Sequence, residues 1–145
     1  MDVKEMGRVI VEVELASNQD LILANCGFMR PEEVRRVRVN GVVDTGATRL
    51  VLPQAVVDQL GLEQSGEMKV RYADNRTASR RLVKNVYLKL LDRESIFNAI
   101  VEPDRADALI GAIVMEDLDL VVDCAAQKVR YRDPDGLLSE IEAFA

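Results

Sequence analysis

The sequence predicts an all-β domain with one or two short helices. Three observations carry this. Several short stretches alternate apolar and polar residues with the period of a half-buried strand. Turn-forming residues interrupt those stretches roughly every eight to twelve residues, the spacing of a small barrel or sandwich. The chain has 145 residues, 48% apolar and 30% charged, which is the size and composition of one globular domain.

Taken in order, Val9, Val11, Val13 and Leu15 alternate with Arg8, Glu12 and Glu14 around Ile10, a half-buried strand. Ser17-Asn18-Gln19-Asp20 reads as a polar turn and Leu21-Ile22-Leu23-Ala24 as a returning strand, so residues about 7–25 are expected as an N-terminal hairpin. Asn25 to Pro31 is a loop by its Gly27 and Pro31. Glu33 to Val39 alternates again, and Asn40-Gly41 is expected as a tight hairpin turn. Val42-Val43 then runs into Asp44-Thr45-Gly46, and Leu50-Val51-Leu52 resumes an apolar stretch. Pro53 suits a helix start, and Gln54 to Leu60 is a short helix ended by Gly61.

Met68 to Tyr72 and Thr77 to Val83 form two arms around Ala73-Asp74-Asn75-Arg76, and Asn85 to Leu91 and Ser95 to Val101 form another pair around Asp92-Arg93. Ala108-Leu109-Ile110-Gly111 leads into a second short helix at about Ile113 to Leu118. Leu120 to Asp123 and Lys128 to Tyr131 close as a last hairpin, followed by a tail at about 134–145. The core is expected over about 34–131.

Composition removes several chemistries. The chain has no histidine, which excludes Ser-His-Asp triads, Cys-His pairs and His-based zinc sites within it. Two cysteines, Cys26 and Cys124, build neither a disulfide framework nor a Cys₄ site, and both are expected as small, buried or half-buried thiols. A net charge of −6, with no Trp and only three Tyr and three Phe, argues against a nucleic-acid partner. No apolar run approaches the roughly 20 residues that span a bilayer, so no membrane partner is expected. The polar, mixed-charge start Met1-Asp2-Val3-Lys4-Glu5 is unlike a secretory signal. Reduced thiols in the cytoplasm are the corresponding expectation. Glu116, Asp117, Asp119 and Asp123 read as helix-end and surface acids rather than a cation site.

One segment stands apart: Gly41-Val42-Val43-Asp44-Thr45-Gly46-Ala47-Thr48. A carboxylate follows two valines, which implies burial, and burying a lone carboxylate costs several kcal/mol. Thr45 offers a hydroxyl donor, and Gly46 allows close backbone approach. Two such carboxylates facing each other at about 3 Å cannot both ionise, so one acts as base toward water and the other as acid toward a carbonyl. The chain supplies one; a C₂ homodimer supplies the second. Val121-Val122-Asp123 repeats the apolar-apolar-Asp pattern but runs into Cys124-Ala125-Ala126 and a strand, so it reads as a structural hairpin.

Val42-Val43-Asp44-Thr45-Gly46-Ala47, then Leu50-Val51-Leu52-Pro53, the helix to Leu60-Gly61-Leu62, the hairpin near Tyr72 to Thr77, Leu109-Ile110-Gly111 and the helix to Leu118 resemble, in this order, the retropepsin-like aspartic proteases, in their bacterial and archaeal branch. The resemblance covers about Val34 to Tyr131 and implies a homodimeric acid-protease barrel that hydrolyses peptide bonds without metal or cofactor. It implies Asp44 as the catalytic carboxylate and Thr45 as the hydrogen-bonding residue across the dimer axis. Gly46 would lie under the substrate backbone, with Ala47 and Thr48 lining the groove floor. Tyr72, Ala73, Asp74, Asn75 and Arg76 correspond to a flap that closes over an extended peptide. Leu109, Ile110 and Gly111 correspond to the structural support beneath the catalytic loop. The flap tip lacks the glycines of retroviral flaps, and Arg76, Arg80 and Arg81 point to acidic substrates. The other function open to this pattern is a non-catalytic dimerisation or peptide-binding module on the same fold.

Overall fold

A computed structural model describes residues 8–136. Nine strands and three short α-helices follow in chain order: β1 Val9–Ser17, α1 Asn18–Asn25, β2 Arg36–Val43, β3 Leu50–Pro53, α2 Gln54–Leu60, β4 Gln64–Arg71, β5 Thr77–Leu90, β6 Arg93–Glu102, β7 Ala108–Ile110, α3 Ala112–Asp117, β8 Leu120–Asp123 and β9 Lys128–Tyr131. A single 3₁₀ turn, Pro31–Glu33, precedes β2. The all-β reading holds. No helix among the described residues is long and apolar enough to cross a membrane.

Seven strands form one sheet in the order β1-β2-β7-β3-β6-β5-β4, and a further pairing of β1 with β5 closes six of them into a barrel. Closure is possible because β5 is long. Its first half pairs with β4 (Arg71↔Thr77 to Gln64↔Val83), and its second half pairs with β1 (Ser17↔Val86 to Glu14↔Lys89). Between the halves the β5–β6 ladder shifts register at Val83/Val86, with Asn85 at a φ of 62°. Lys84-Asn85 is therefore a bulge that bends one strand away from the barrel, not a break between two. β4 and the start of β5 project as a hairpin. Leu15, Leu52, Leu60, Leu88, Leu90 and Ile110 fill the core and are almost wholly removed from water.

Several expectations are corrected. The N-terminal hairpin over about 7–25 is a strand followed by a helix: Asn18–Asn25 is α1. Ser17 is its N-cap, with the Ser17 side chain accepting from the Asp20 N–H at 3.2 Å. The four polar residues read as a turn are the cap and first turn of a helix. Asn40-Gly41 is not a turn but lies inside β2, where Gly41 pairs with Val11 and Ala108. A Cβ on Gly41 would lie 2.9 Å from Ile110 Cγ1, so the missing side chain makes room for Ile110 of β7. β4 starts at Gln64, ahead of the expected Met68, and the arms expected at Thr77 to Val83 and Asn85 to Leu91 are the single strand β5. The remaining elements fall close to where the alternation and caps put them, α2 ending at Gly61 included. Residues 1–7 and most of the expected C-terminal tail at about 134–145 lie outside the described residues.

Candidate active site

Asp44-Thr45-Gly46 begins where β2 leaves the barrel, and the strand order determines what lies beneath it. β7 lies between β2 and β3, parallel to the first (Val43↔Ile110) and antiparallel to the second (Val51↔Leu109). The loop from Asp44 to Arg49 therefore spans the end of β7 and is tied to it. The Asp44 N–H donates to the Ile110 carbonyl at 3.0 Å. The Ala112 and Ile113 N–H groups donate to the carbonyls of Ala47 (2.8 Å) and Thr48 (2.9 Å). Within the loop, Ala47 N–H donates to the Asp44 carbonyl at 3.1 Å, and Gly46 N–H donates to Asp44 Oδ1 at 2.9 Å. Gly111 is buried against this loop: a Cβ there would lie 2.5 Å from the Arg49 carbonyl oxygen and 2.8 Å from the Arg49 nitrogen. Leu109, Ile110 and Gly111 thus lie together with the Asp-Thr-Gly loop.

Asp44 itself is exposed, as are Thr45, Gly46 and Thr48. This corrects the expectation of burial. Burial of β2 stops at Val43, and in the single chain the carboxylate keeps its water. Oδ1 is held toward the loop by Gly46, so the carboxylate is oriented without being enclosed. Among the described residues the Thr45 hydroxyl has no hydrogen-bond partner.

A groove of about 510 Å³ runs from this loop to the projecting hairpin. Gly46, Ala47 and Thr48 line one side, and Met68, Val70 and Tyr72 the other. Val51, Ile100 and Leu109 add apolar floor between them. The hairpin tip needs no glycine. Asn75 takes the left-handed position (φ 71°), which asparagine tolerates. Tyr72 N–H donates to the Arg76 carbonyl at 2.8 Å, and Asn75 N–H to the Tyr72 carbonyl at 2.9 Å. Asp74 accepts from both the N–H and the Nε of Arg76 at 3.0 Å. Ala73, Asp74, Asn75 and Arg76 are exposed and do not line the groove.

Tyr72 ties the hairpin to the barrel. Its hydroxyl donates to Glu102 Oε2 at 2.7 Å, while Arg80 Nε donates to Glu102 Oε1 at 2.9 Å and to the Tyr72 oxygen at 3.0 Å. Burial, then the bond to Glu102, pushes the Tyr72 phenol above its ordinary range. Sequence reading missed Glu102, Arg49, Arg71 and Arg105, all of which line the groove. They belong to separate elements, and no local spacing links them. Met68 and Val70, alternating within an otherwise polar β4, were the available signal.

Cys26 and Cys124 are exposed, against the expectation of burial, because both sit in turns that follow an element rather than inside one. Of the acidic residues near α3, Asp119 is held by Arg132 Nε at 2.6 Å and Asp123 lies 3.8 Å from Arg130. No group of potential metal ligands forms among the described residues.

A family model described as aspartyl protease matches residues 32–114, which contain the Asp44 loop, the hairpin and Leu109-Ile110-Gly111. No curated protein matches the chain. Among solved structures, the chain is similar to EIAV protease complexed with the inhibitor HBY-793, at 20% identity and a TM-score of 0.48, over 56% of this chain and 77% of that one.

Proposed function

The chain belongs to the aspartyl protease family and as such is an aspartic endopeptidase; on that premise we propose that it works as a retropepsin-like homodimer whose dyad is Asp44 from each subunit. The observation that carries the reading is the state of Asp44. It is an exposed carboxylate on a loop pinned to β7 and Gly111, beside a groove with an apolar floor and a hairpin wall. One carboxylate is half a dyad, and the unpartnered Thr45 hydroxyl beside it is a free donor for a symmetry mate.

In the dimer the two carboxylates share one proton. The ionised one takes a proton from water, whose oxygen attacks the peptide carbonyl carbon. The protonated one donates toward the carbonyl oxygen. Collapse of the tetrahedral adduct breaks the C–N bond, and the amine leaves with a proton. The groove holds the peptide as an extended strand along β4, with the hairpin as flap. Leu109, Ile110 and Gly111 are positioning residues that fix the loop. No metal or cofactor takes part. In a cytoplasmic setting, the exposed thiols of Cys26 and Cys124 stay reduced.

The test is digestion of a diverse peptide mixture at about pH 4 to 8, read by mass spectrometry, with wild type beside Asp44→Asn. Wild type is expected to cut, and the variant to lose about 10³-fold or more in rate. If the folded, dimeric wild type leaves every peptide intact, the catalytic reading fails and a peptide-binding module replaces it.

A further inference from the structure

The arginines that the sequence singled out for acidic substrates are already engaged. Arg76 pairs with Asp74 at 3.0 Å and lies over the Tyr72 ring, Arg80 pairs with Glu102, and Arg81 bonds Gln54. The groove carries three others: Arg49 from the catalytic loop, Arg71 from the end of β4 and Arg105 from the loop between β6 and β7. Among the described residues Arg49 and Arg71 have no ion pair or side-chain hydrogen bond. Arg105 uses its Nε on the Asp107 carbonyl at 2.6 Å, which leaves its terminal nitrogens available. The carboxylate that lines the groove with them, Glu102, has one oxygen on Arg80 and the other on Tyr72. The groove is therefore cationic on a chain whose net charge is −6.

We infer that Arg49, Arg71 and Arg105 form a subsite for an acidic side chain of the peptide, at a position flanking the scissile bond; this rests on the endopeptidase reading above. Guanidinium forks match a carboxylate bidentately. The apolar lining of Val51, Met68, Val70, Ile100 and Leu109 lowers the local dielectric, which strengthens the attraction. The residues at the bond itself face a dyad that keeps one negative charge, so the acidic side chain belongs away from it.

The probe is a set of fluorescent decapeptides of constant apolar sequence with Glu, Gln or Lys placed at one position at a time. Cleavage is measured for wild type, and binding by anisotropy for wild type and Asp44→Asn. At one position Glu is expected to beat Gln by about tenfold in kcat/KM and in binding, with Lys worse still. The preference is expected to shrink as salt rises. Arg71→Glu with Arg105→Glu is expected to turn the preference toward Lys, and Arg71→Gln with Arg105→Gln to flatten it. Both pairs lie at an exposed strand end and on a loop, and their thermal melts check folding. Cleavage with no preference for Glu at any position overturns the subsite and leaves the protease reading standing. No cleavage but tighter binding of Glu peptides overturns the protease reading and supports the subsite. No cleavage and no charge discrimination in binding overturns both.

Discussion

Asp20 is among the most buried groups in the chain, and it lies outside the groove. Its carboxylate accepts from Arg35 Nε at 2.8 Å, from an Arg35 terminal nitrogen at 3.0 Å and from the Arg35 backbone N–H at 3.0 Å. The Arg35 side chain is the main reason the Asp20 carboxyl lies below the ordinary carboxylate range; burial opposes it, and the backbone bond adds to the lowering. Its pKa is lower folded than unfolded, so this pair stabilises the fold above about pH 4, and the contribution disappears as pH falls through the folded value. Asp20→Asn is expected to cost about 1.5 kcal/mol at neutral pH, because it weakens charge-assisted hydrogen bonds while the half-exposed Arg35 left behind is solvated. The gap to wild type should close on acidification below about pH 4 in urea melts taken across pH. A gap that stays constant down to pH 2 would show that Asp20 acts through packing and not charge. Asp44 was legible in the sequence, since its loop is a contiguous motif. Asp20 was not: its partner lies 15 residues further along the chain, beyond a helix that was read as a strand.

At the scale of elements, the Asp44 loop depends on a three-residue strand. β7 holds Asp44 through Ile110 and leads into Gly111, whose missing Cβ lets the backbone of Thr48 and Arg49 close in. Gly111→Ala puts a methyl group against backbone atoms at 2.5 to 2.8 Å, which do not give way as a side chain does. Gly41→Ala meets only side-chain atoms, Ile110 Cγ1 at 2.9 Å and Cδ1 at 3.1 Å, and no backbone at that range. We expect Gly111→Ala to cost about 1–3 kcal/mol in denaturant melts and to lower cleavage well beyond that loss of folded protein. Gly41→Ala should cost less and leave the rate per folded molecule near wild type. Equal losses of rate in the two variants would remove Gly111 from its positioning role. Strands were legible here because alternation is local. α1 was missed although Ser17 and Asp20 stand at the spacing of a cap, because Leu21-Ile22-Leu23-Ala24 is as apolar as a buried strand. The structure leaves Ile22 and Leu23 about half exposed, which an apolar pattern alone does not reveal.

At the scale of the whole molecule, the barrel was legible as a class, but its closure was not. The β1–β5 pairing joins residues 69 to 75 positions apart through the bend at Lys84-Asn85, and no local pattern encodes it. The groove was hidden for the same reason: its arginines come from separate elements brought together by the strand order. What the single chain leaves open is the space around Asp44, and the proposed dimer fills it with a second copy. Activity should then follow the concentration of dimer: specific activity rises with protein concentration and levels off, and sedimentation shows the mass doubling over the same range. The rate should be bell-shaped in pH, because only the singly protonated dyad is active. Mixing gives the sharper test. Wild type equilibrated with an equal amount of Asp44→Asn places about half of the wild-type chains in mixed pairs with one carboxylate, so the activity per wild-type chain should fall to about one half. An excess of the variant should drive it toward zero. If the variant has no effect while mixed dimers are seen to form, one Asp44 suffices for catalysis and the shared dyad is wrong.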